Sequence, residues 1–118
     1  MEGNFNTKLE ILWGGKGVAA RGPLEWSSGE TGVTLHVAIM KEKVAATGRS
    51  GDDVPSTANE FLFAAAVQGD GTLTPGHATA TGLALVRGNG VEMYQWSAPV
   101  ELVANGAAGS KTAKSPNP

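Results

Sequence analysis

The sequence predicts an all-β domain, built as an antiparallel sandwich of seven to eight strands, with a small β-barrel as the alternative. Apolar and more polar side chains alternate along Gly32–Lys41, as in a strand with one buried face. The chain has 17 glycines in 118 residues, about twice the usual share. Turn sequences such as Arg87–Gly90 separate the apolar runs. Short strands joined by tight turns explain all three observations.

Length and composition indicate one domain whose core is held by packing. A chain of 118 residues is long enough to bury a core without metals or cross-links. Hydrophobic residues make up 41% and charged residues 17%, which excludes disorder by composition. There is no cysteine, which excludes disulfides, thiolate zinc sites and cysteine nucleophiles.

The net charge and the lengths of the apolar runs indicate which partners and locations to expect. The formal net charge is −2, and residues 1–110 hold seven basic and eleven acidic side chains, a net of −4. We therefore expect no nucleic-acid partner. No apolar run approaches the roughly 18–20 residues of a membrane span, and Met1–Asn6 does not resemble a signal peptide. The expected location is a virion, the cell surface or the extracellular space, with the cytoplasm also open.

The first half of the chain is predicted to form strands ended by glycine, proline or charged turns. These strands are Lys8–Trp13, Gly17–Arg21, Leu24–Trp26, Gly32–Lys41 and Val44–Thr47. Gly22–Pro23 is predicted to be a turn, and so is the segment near Lys41–Lys43. Gly48–Ser56 is the longest predicted loop, and loops of this kind lie on the surface and often carry function.

Thr57–Gln68 carries signals for both a helix and a strand. Thr57 and Glu60 have the spacing of a helix capping box, and the alanines of this segment favour a helix. Phe61 and Phe63 begin an alternating pattern that ends at the hairpin-type turn Gly69–Gly71. The alternation leads us to predict a strand.

Two long strands and a tail follow. His77–Val86 is a predicted strand, and no formally charged residue occurs from Gly71 to Val86. After the hairpin turn we predict Val91–Ser97 and, beyond Pro99, a last short strand Val100–Val103. Residues 105–118 have the composition of a flexible linker, so we predict a domain of residues 1–104 and a C-terminal arm.

The segment from Gly32 to Val103 resembles the immunoglobulin-like sandwich modules of actinobacterial secreted proteins and of their phages. The likeness is carried by the alternating strand Val33–Val37, by Ala46–Gly48, by Leu73–Thr81 and by the closing Ser97–Leu102. The chain departs from that pattern in having no cysteine. Such modules bind, space or decorate, so the resemblance implies an immunoglobulin-like topology and no catalytic residue.

The sequence offers no catalytic constellation. It contains no Gly-x-Ser-x-Gly elbow, and the spacing of Glu60, Glu92 and Glu101 does not favour a paired-carboxylate site. A metal shared by His36 and His77 would need the fold to bring them together with a carboxylate. We expect neither an enzyme nor a cofactor or metal.

Four residues are candidate ligand contacts. Tyr94 and Trp96 share one face of a predicted strand, where they form an aromatic platform for sugars or a protein partner if exposed, and core packing if buried. Asp52 and Asp53 lie in the longest loop, where they are either hard-cation ligands or ordinary turn residues.

Two functions are in view. The first is a non-enzymatic structural or assembly protein, for example a phage capsid or tail decoration subunit. Sheet faces, loops and the arm would dock on other protein subunits, or copies would self-assemble, with Ala78, Ala80 and Gly82 permitting close approach. The alternative is a secreted or cell-surface module that binds carbohydrate or protein.

Overall fold

The computed structural model describes residues 1–51 and 54–104, and this part of the chain is all-β, as predicted. Its nine strands are β1 (Glu2–Gly3), β2 (Lys8–Leu12), β3 (Gly17–Glu25), β4 (Gly32–Lys41), β5 (Val44–Arg49), β6 (Val54–Pro55), β7 (Glu60–Val67), β8 (Gly76–Arg87) and β9 (Val91–Val103). One 3-10 turn, Trp13–Gly15, joins β2 to β3. No described helix has the length and apolarity that crossing a bilayer requires.

Seven of these strands close into a barrel. The hydrogen-bonded order is β3-β2-β9-β8-β4-β5-β7, and β7 pairs with β3 to complete the ring. β2 and β9 are parallel, whereas the other pairs of the ring are antiparallel. The barrel alternative is therefore confirmed, and the prediction of an antiparallel immunoglobulin-like sandwich is corrected to a closed, mixed barrel. The inner faces of a sandwich and of a barrel carry the same alternation, so the pattern could not separate them.

The barrel interior is filled by every second side chain of the long strands. In β4, Val33, Leu35, Val37 and Ile39 are buried, as the alternation predicted. The largest fully buried side chains are Leu9, Leu35, Ile39, Leu102, Val18, Val33 and Val86. Small residues of β8 share this interior, since Ala80 and Ala84 are fully buried.

Two predicted breaks are absent, and the proline of each lies within a continuous strand. Gly22–Pro23 was predicted to be a turn but lies inside the continuous strand β3. The carbonyl group of Asn4 approaches so closely that a Cβ on Gly22 would collide with it, so a glycine is required there for close approach. Pro99 was predicted to separate two strands but lies inside β9.

Two other predictions about local structure are confirmed. Glu60–Val67 is a strand and not a helix. β4 and β5 are joined by a tight turn in which Glu42 has a φ of 57°. The predicted arm, residues 105–118, lies outside the described residues.

The N-terminal segment lies along β3 and closes one side of the barrel. Asn4 N–H donates to the Pro23 carbonyl group at 3.3 Å and Asn6 N–H to the Arg21 carbonyl group at 2.8 Å. The side chains of Met1 and Phe5 are buried in the core. Apolar anchors and backbone hydrogen bonds therefore hold this segment against the barrel.

The α-amino group of Met1 pairs with Glu30, at 2.8 Å from Oε2. Ser27 N–H also donates to Glu30 Oε1, at 2.7 Å. Burial raises the pKa of Glu30, but the hydrogen bonds from the α-amino group and from Ser27, with the attraction of the positive charge, outweigh it. The pKa of Glu30 is therefore lowered from its ordinary value.

Candidate functional site

The outward sides of β4, β8 and β9 form one surface without a formal charge. The cross-strand registers align twelve outward residues in four rows: Thr34, Leu85 and Met93; His36, Leu83 and Gln95; Ala38, Thr81 and Ser97; Met40, Thr79 and Pro99. None of the twelve is Asp, Glu, Lys or Arg. We call these residues the uncharged face.

Large apolar side chains project from the uncharged face. Met40 is 51% exposed and Met93 is 65% exposed, while Leu83 and Leu85 are half-buried. Threonine, serine, alanine and proline fill the remaining positions apart from His36 and Gln95. From strand spacing and rise, the face covers roughly 400 Å², and polar uncharged side chains occupy half of its positions.

Charged residues lie at the two ends of the uncharged face along β8. Arg87 lies at one end of β8, where its Nη1 donates to the Thr34 hydroxyl at 3.1 Å. At the other end His77 pairs in register with Glu101. The opposite side of the barrel carries charge on its outward positions, since Arg21 contacts Glu60 at 3.3 Å. The uncharged face thus differs from the side that carries Arg21 and Glu60, whereas uncharged outward residues continue beyond it on β5 at Ala45 and Thr47.

The structure places Trp96 on the inward side of β9. The indole lies between Gly3 and Gly82, and a Cβ added to either glycine would come within 2.6 Å of its ring. Phe5 packs beside the indole with ring centroids 6.3 Å apart. The Trp96 ring is thus engaged by the protein itself and offers no open platform for a sugar.

Tyr94 lies on the same side of β9 as Trp96 but at the rim of the barrel. It lines a cleft of about 340 Å³ with Glu30, Arg87, Asn89 and Glu92. The Tyr94 hydroxyl donates to Glu92 Oε1 at 3.2 Å. Desolvation raises the pKa of Tyr94, and the charge and hydrogen bond of Glu92 raise it further. The cleft is polar, and it presents one aromatic ring.

The remaining sequence candidates are not brought together. Asp52 and Asp53 lie outside the described residues. His36 pairs with Leu83, and His77 lies six residues further along β8, about 20 Å away at the usual strand rise. Across the described ranges, no group of three or more His, Asp or Glu side chains is placed to hold a metal ion.

Sequence reasoning missed the position of Trp13. It was assigned to the first strand but begins the turn after β2, with a φ of 55° and a side chain that is 60% exposed. Trp26, by contrast, is fixed by a hydrogen bond from its Nε1 to the Ala58 carbonyl group, at 2.6 Å. The pair Gly14–Gly15 after Trp13 was the only available signal that the strand ends early.

Comparison of the chain with models of known protein families, with characterised proteins and with solved structures finds no match. The function must therefore be inferred from the surface of the protein itself.

Proposed function

We propose that this protein is a non-enzymatic assembly subunit that docks on other protein subunits through the uncharged face. The observation that carries the proposal is the alignment of twelve outward residues on β4, β8 and β9 without a formal charge among them.

The energetics of association favour such a surface. Burying an unpaired charge is costly, whereas covering threonine, alanine, leucine and methionine side chains carries little desolvation penalty. Met40 and Met93 project from opposite corners of the face, and methionine is enriched at protein interfaces. The face alone is about half of what one partner contributes to an interface of standard size.

The specific setting that we propose is a repeated protein lattice, such as a phage capsid or tail that this subunit decorates. A continuous three-strand face without charge suits docking on a repeated surface. The resemblance of Gly32–Val103 to phage and actinobacterial sandwich modules supports the same setting, although the fold is a barrel. In this proposal the protein acts as part of a virion.

The test compares two exposed apolar residues on opposite sides of the barrel. Tagged wild-type protein, Met40→Glu and Leu62→Glu are each expressed in the native source, and the fraction that sediments with large assemblies is measured. Leu62 is 59% exposed and Met40 is 51% exposed, so both substitutions cost the fold little. We expect Met40→Glu to lose assembly binding and Leu62→Glu to retain it.

Two results contradict the proposal. One is wild-type protein found only as free molecules in the source extract. The other is equal assembly binding by the two variants, because the uncharged face then contributes nothing specific.

The rim cleft favours a second candidate function, that of a carbohydrate-binding module. Tyr94 supplies one aromatic ring there, and Glu92 and Asn89 supply polar groups, the combination that recognises sugars. Glycan-array binding that is lost in Tyr94→Ala and kept in Met40→Glu supports this candidate over assembly. An array without signal removes it.

A further inference from the structure

The strand β9 has one edge that is mostly unpaired. On one side it pairs with β8 from Val91 to Leu102. On the other side only Glu101–Val103 pair with β2. Within residues 1–51 and 54–104, no strand pairs with that second edge from Val91 to Pro99.

Alternate residues of a strand direct their backbone N–H groups to opposite edges, which shows which groups this edge offers. Glu101 N–H donates to the Thr7 carbonyl group at 2.8 Å, so Glu101 directs its backbone groups away from β8. Residues two apart in an antiparallel strand point the same way. The N–H groups of Val91, Met93, Gln95 and Ser97 therefore point to the free edge.

Pro99 belongs to the same series of odd-numbered residues. Because its missing N–H would point to the free edge, it removes no hydrogen bond between β8 and β9. This explains why a proline is tolerated in the middle of a thirteen-residue strand.

The inward side chains of β9 become less buried beyond the end of its pairing with β2. Val100 is 3% exposed and Leu102 is fully buried, next to β2. Tyr94, Trp96 and Ala98 point to the same interior but are only half-buried. The N-terminal segment packs on Trp96 through Gly3 and Phe5, but no described strand pairs with this stretch. A further strand at the edge would add to the cover of these side chains.

We propose that the free edge of β9 pairs antiparallel with the same edge of a second copy of this chain, about a two-fold axis at Gln95. In this register Gln95 lies opposite itself, Met93 opposite Ser97 and Val91 opposite Pro99. Each copy donates hydrogen bonds from four N–H groups, those of Val91, Met93, Gln95 and Ser97.

The sequence of the edge is self-complementary in this register. On the inward side Tyr94 lies opposite Trp96 of the second copy, so the half-buried Tyr94 ring gains an aromatic neighbour. Glu92 lies opposite Ala98, so no like charges face each other. Many edge strands carry charged side chains that repel a second edge, and this edge has no such repulsion in the proposed register. The edge therefore fits a second copy of this chain.

The dimer also doubles the uncharged face. A two-fold axis perpendicular to the sheet places both copies of the face on the same side, as one surface of roughly 800 Å². That area equals what one partner contributes to an interface of standard size. Dimerisation does not depend on the proposed function, because it uses the strand edge and leaves the uncharged face free.

A charge-swap experiment tests the register. Sedimentation equilibrium is measured for wild-type protein, Gln95→Lys, Gln95→Glu and an equimolar mixture of the two variants. We expect wild-type protein to dimerise. Each variant alone should dimerise more than about tenfold more weakly, because like charges meet at the axis, and the mixture should dimerise again because opposite charges meet there. The control Thr79→Lys adds the same charge on β8, away from the edge, and dimerises like wild type.

A cysteine cross-link gives a second readout. The chain has no cysteine of its own, and directly opposed strand residues have Cα atoms about 5.5 Å apart, within disulfide range. Oxidised Gln95→Cys forms a covalent dimer, whereas Thr79→Cys does not. The proposal is overturned if wild-type protein stays monomeric up to about 1 mM. It is also overturned if both Gln95 charge variants dimerise as strongly as wild type. The uncharged face would remain untested by either result, so this failure is distinct from failure of the proposed function.

Discussion

The two halves of β9 have the same alternation but different surroundings. From Val100 to Leu102 the strand has β8 on one side and β2 on the other, and both inward side chains are buried. From Val91 to Ala98 it has β8 alone among the described strands, and its inward side chains are half-buried or exposed. Alternation decides which way a side chain points, but a neighbour on each edge decides whether it is buried.

The largest expected difference between the halves is in the free energy of unfolding. Leu102→Ala removes a fully buried side chain and should cost about 2–5 kcal/mol. Tyr94→Ala removes more atoms from the open half but should cost less, because Tyr94 is only half-buried. Urea denaturation measures both. A larger loss for Tyr94→Ala would mean that the open half is as well packed as the closed one.

The next effect concerns the fit of Trp96 between two glycines. Gly82→Ala places a Cβ within 2.6 Å of the indole and should lower the free energy of unfolding by about 1–3 kcal/mol. Gly51→Ala is the control, since no atom lies within 4 Å of the added Cβ. In a Trp96→Leu background the cost of Gly82→Ala should shrink. If Gly82→Ala lowers the free energy of unfolding equally in both backgrounds, the added methyl group does not clash with the Trp96 indole.

A smaller effect should appear in the pH dependence of stability at the rim of the open half. The pKa of Glu30 is lowered in the folded protein, so the folded state holds this proton less tightly than the unfolded state. The contribution of Glu30 is therefore present above its ordinary pKa of 4.5 and lost as the pH falls through the lowered value. Wild-type protein and Glu30→Gln should differ most in thermal stability near neutral pH and converge in acid. A constant difference across this range contradicts the assignment.

The smallest effect is spectroscopic. The chain has one tyrosine, so its absorbance change in alkali reports Tyr94 alone. The pKa of Tyr94 is raised from its ordinary value of 10.0, and Glu92→Gln should lower it by removing the neighbouring charge and the acceptor carboxylate. An unaltered titration midpoint would show that Glu92 does not act on Tyr94.

The sequence predicted much of the local structure, although not the continuity of β3 and β9 through their prolines. Alternation in Gly32–Lys41 and in Glu60–Val67 predicted strands that the structure contains, and the turn between β4 and β5 follows from the charged residues there. Closure could not be predicted, because the parallel pairing of β2 with β9 joins residues more than ninety positions apart. No local pattern records which distant strand becomes a neighbour.

The candidate site was predictable only in part. The absence of charge from Gly71 to Val86 was visible in the sequence, but the uncharged face exists only because the registers place Thr34–Met40 and Met93–Pro99 beside it. Trp96 was open to two interpretations, and its indole was placed between Gly3 and Gly82 by the approach of the N-terminal segment. The neighbours of these residues are set by cross-strand register and by the course of the N-terminal segment, and neither can be read from a local sequence pattern.

The contact between the first long strand and the last has a consequence for how the molecule forms during translation. The hairpin of β4 and β5 joins neighbouring residues and can assemble once both strands have emerged, whereas β2 must wait for Glu101–Val103 to leave the ribosome. Contacts of such large sequence separation slow folding. Until Glu101–Val103 emerge, the nascent chain is an incomplete ring with exposed strand edges, and it is in this period that aggregation is most to be expected.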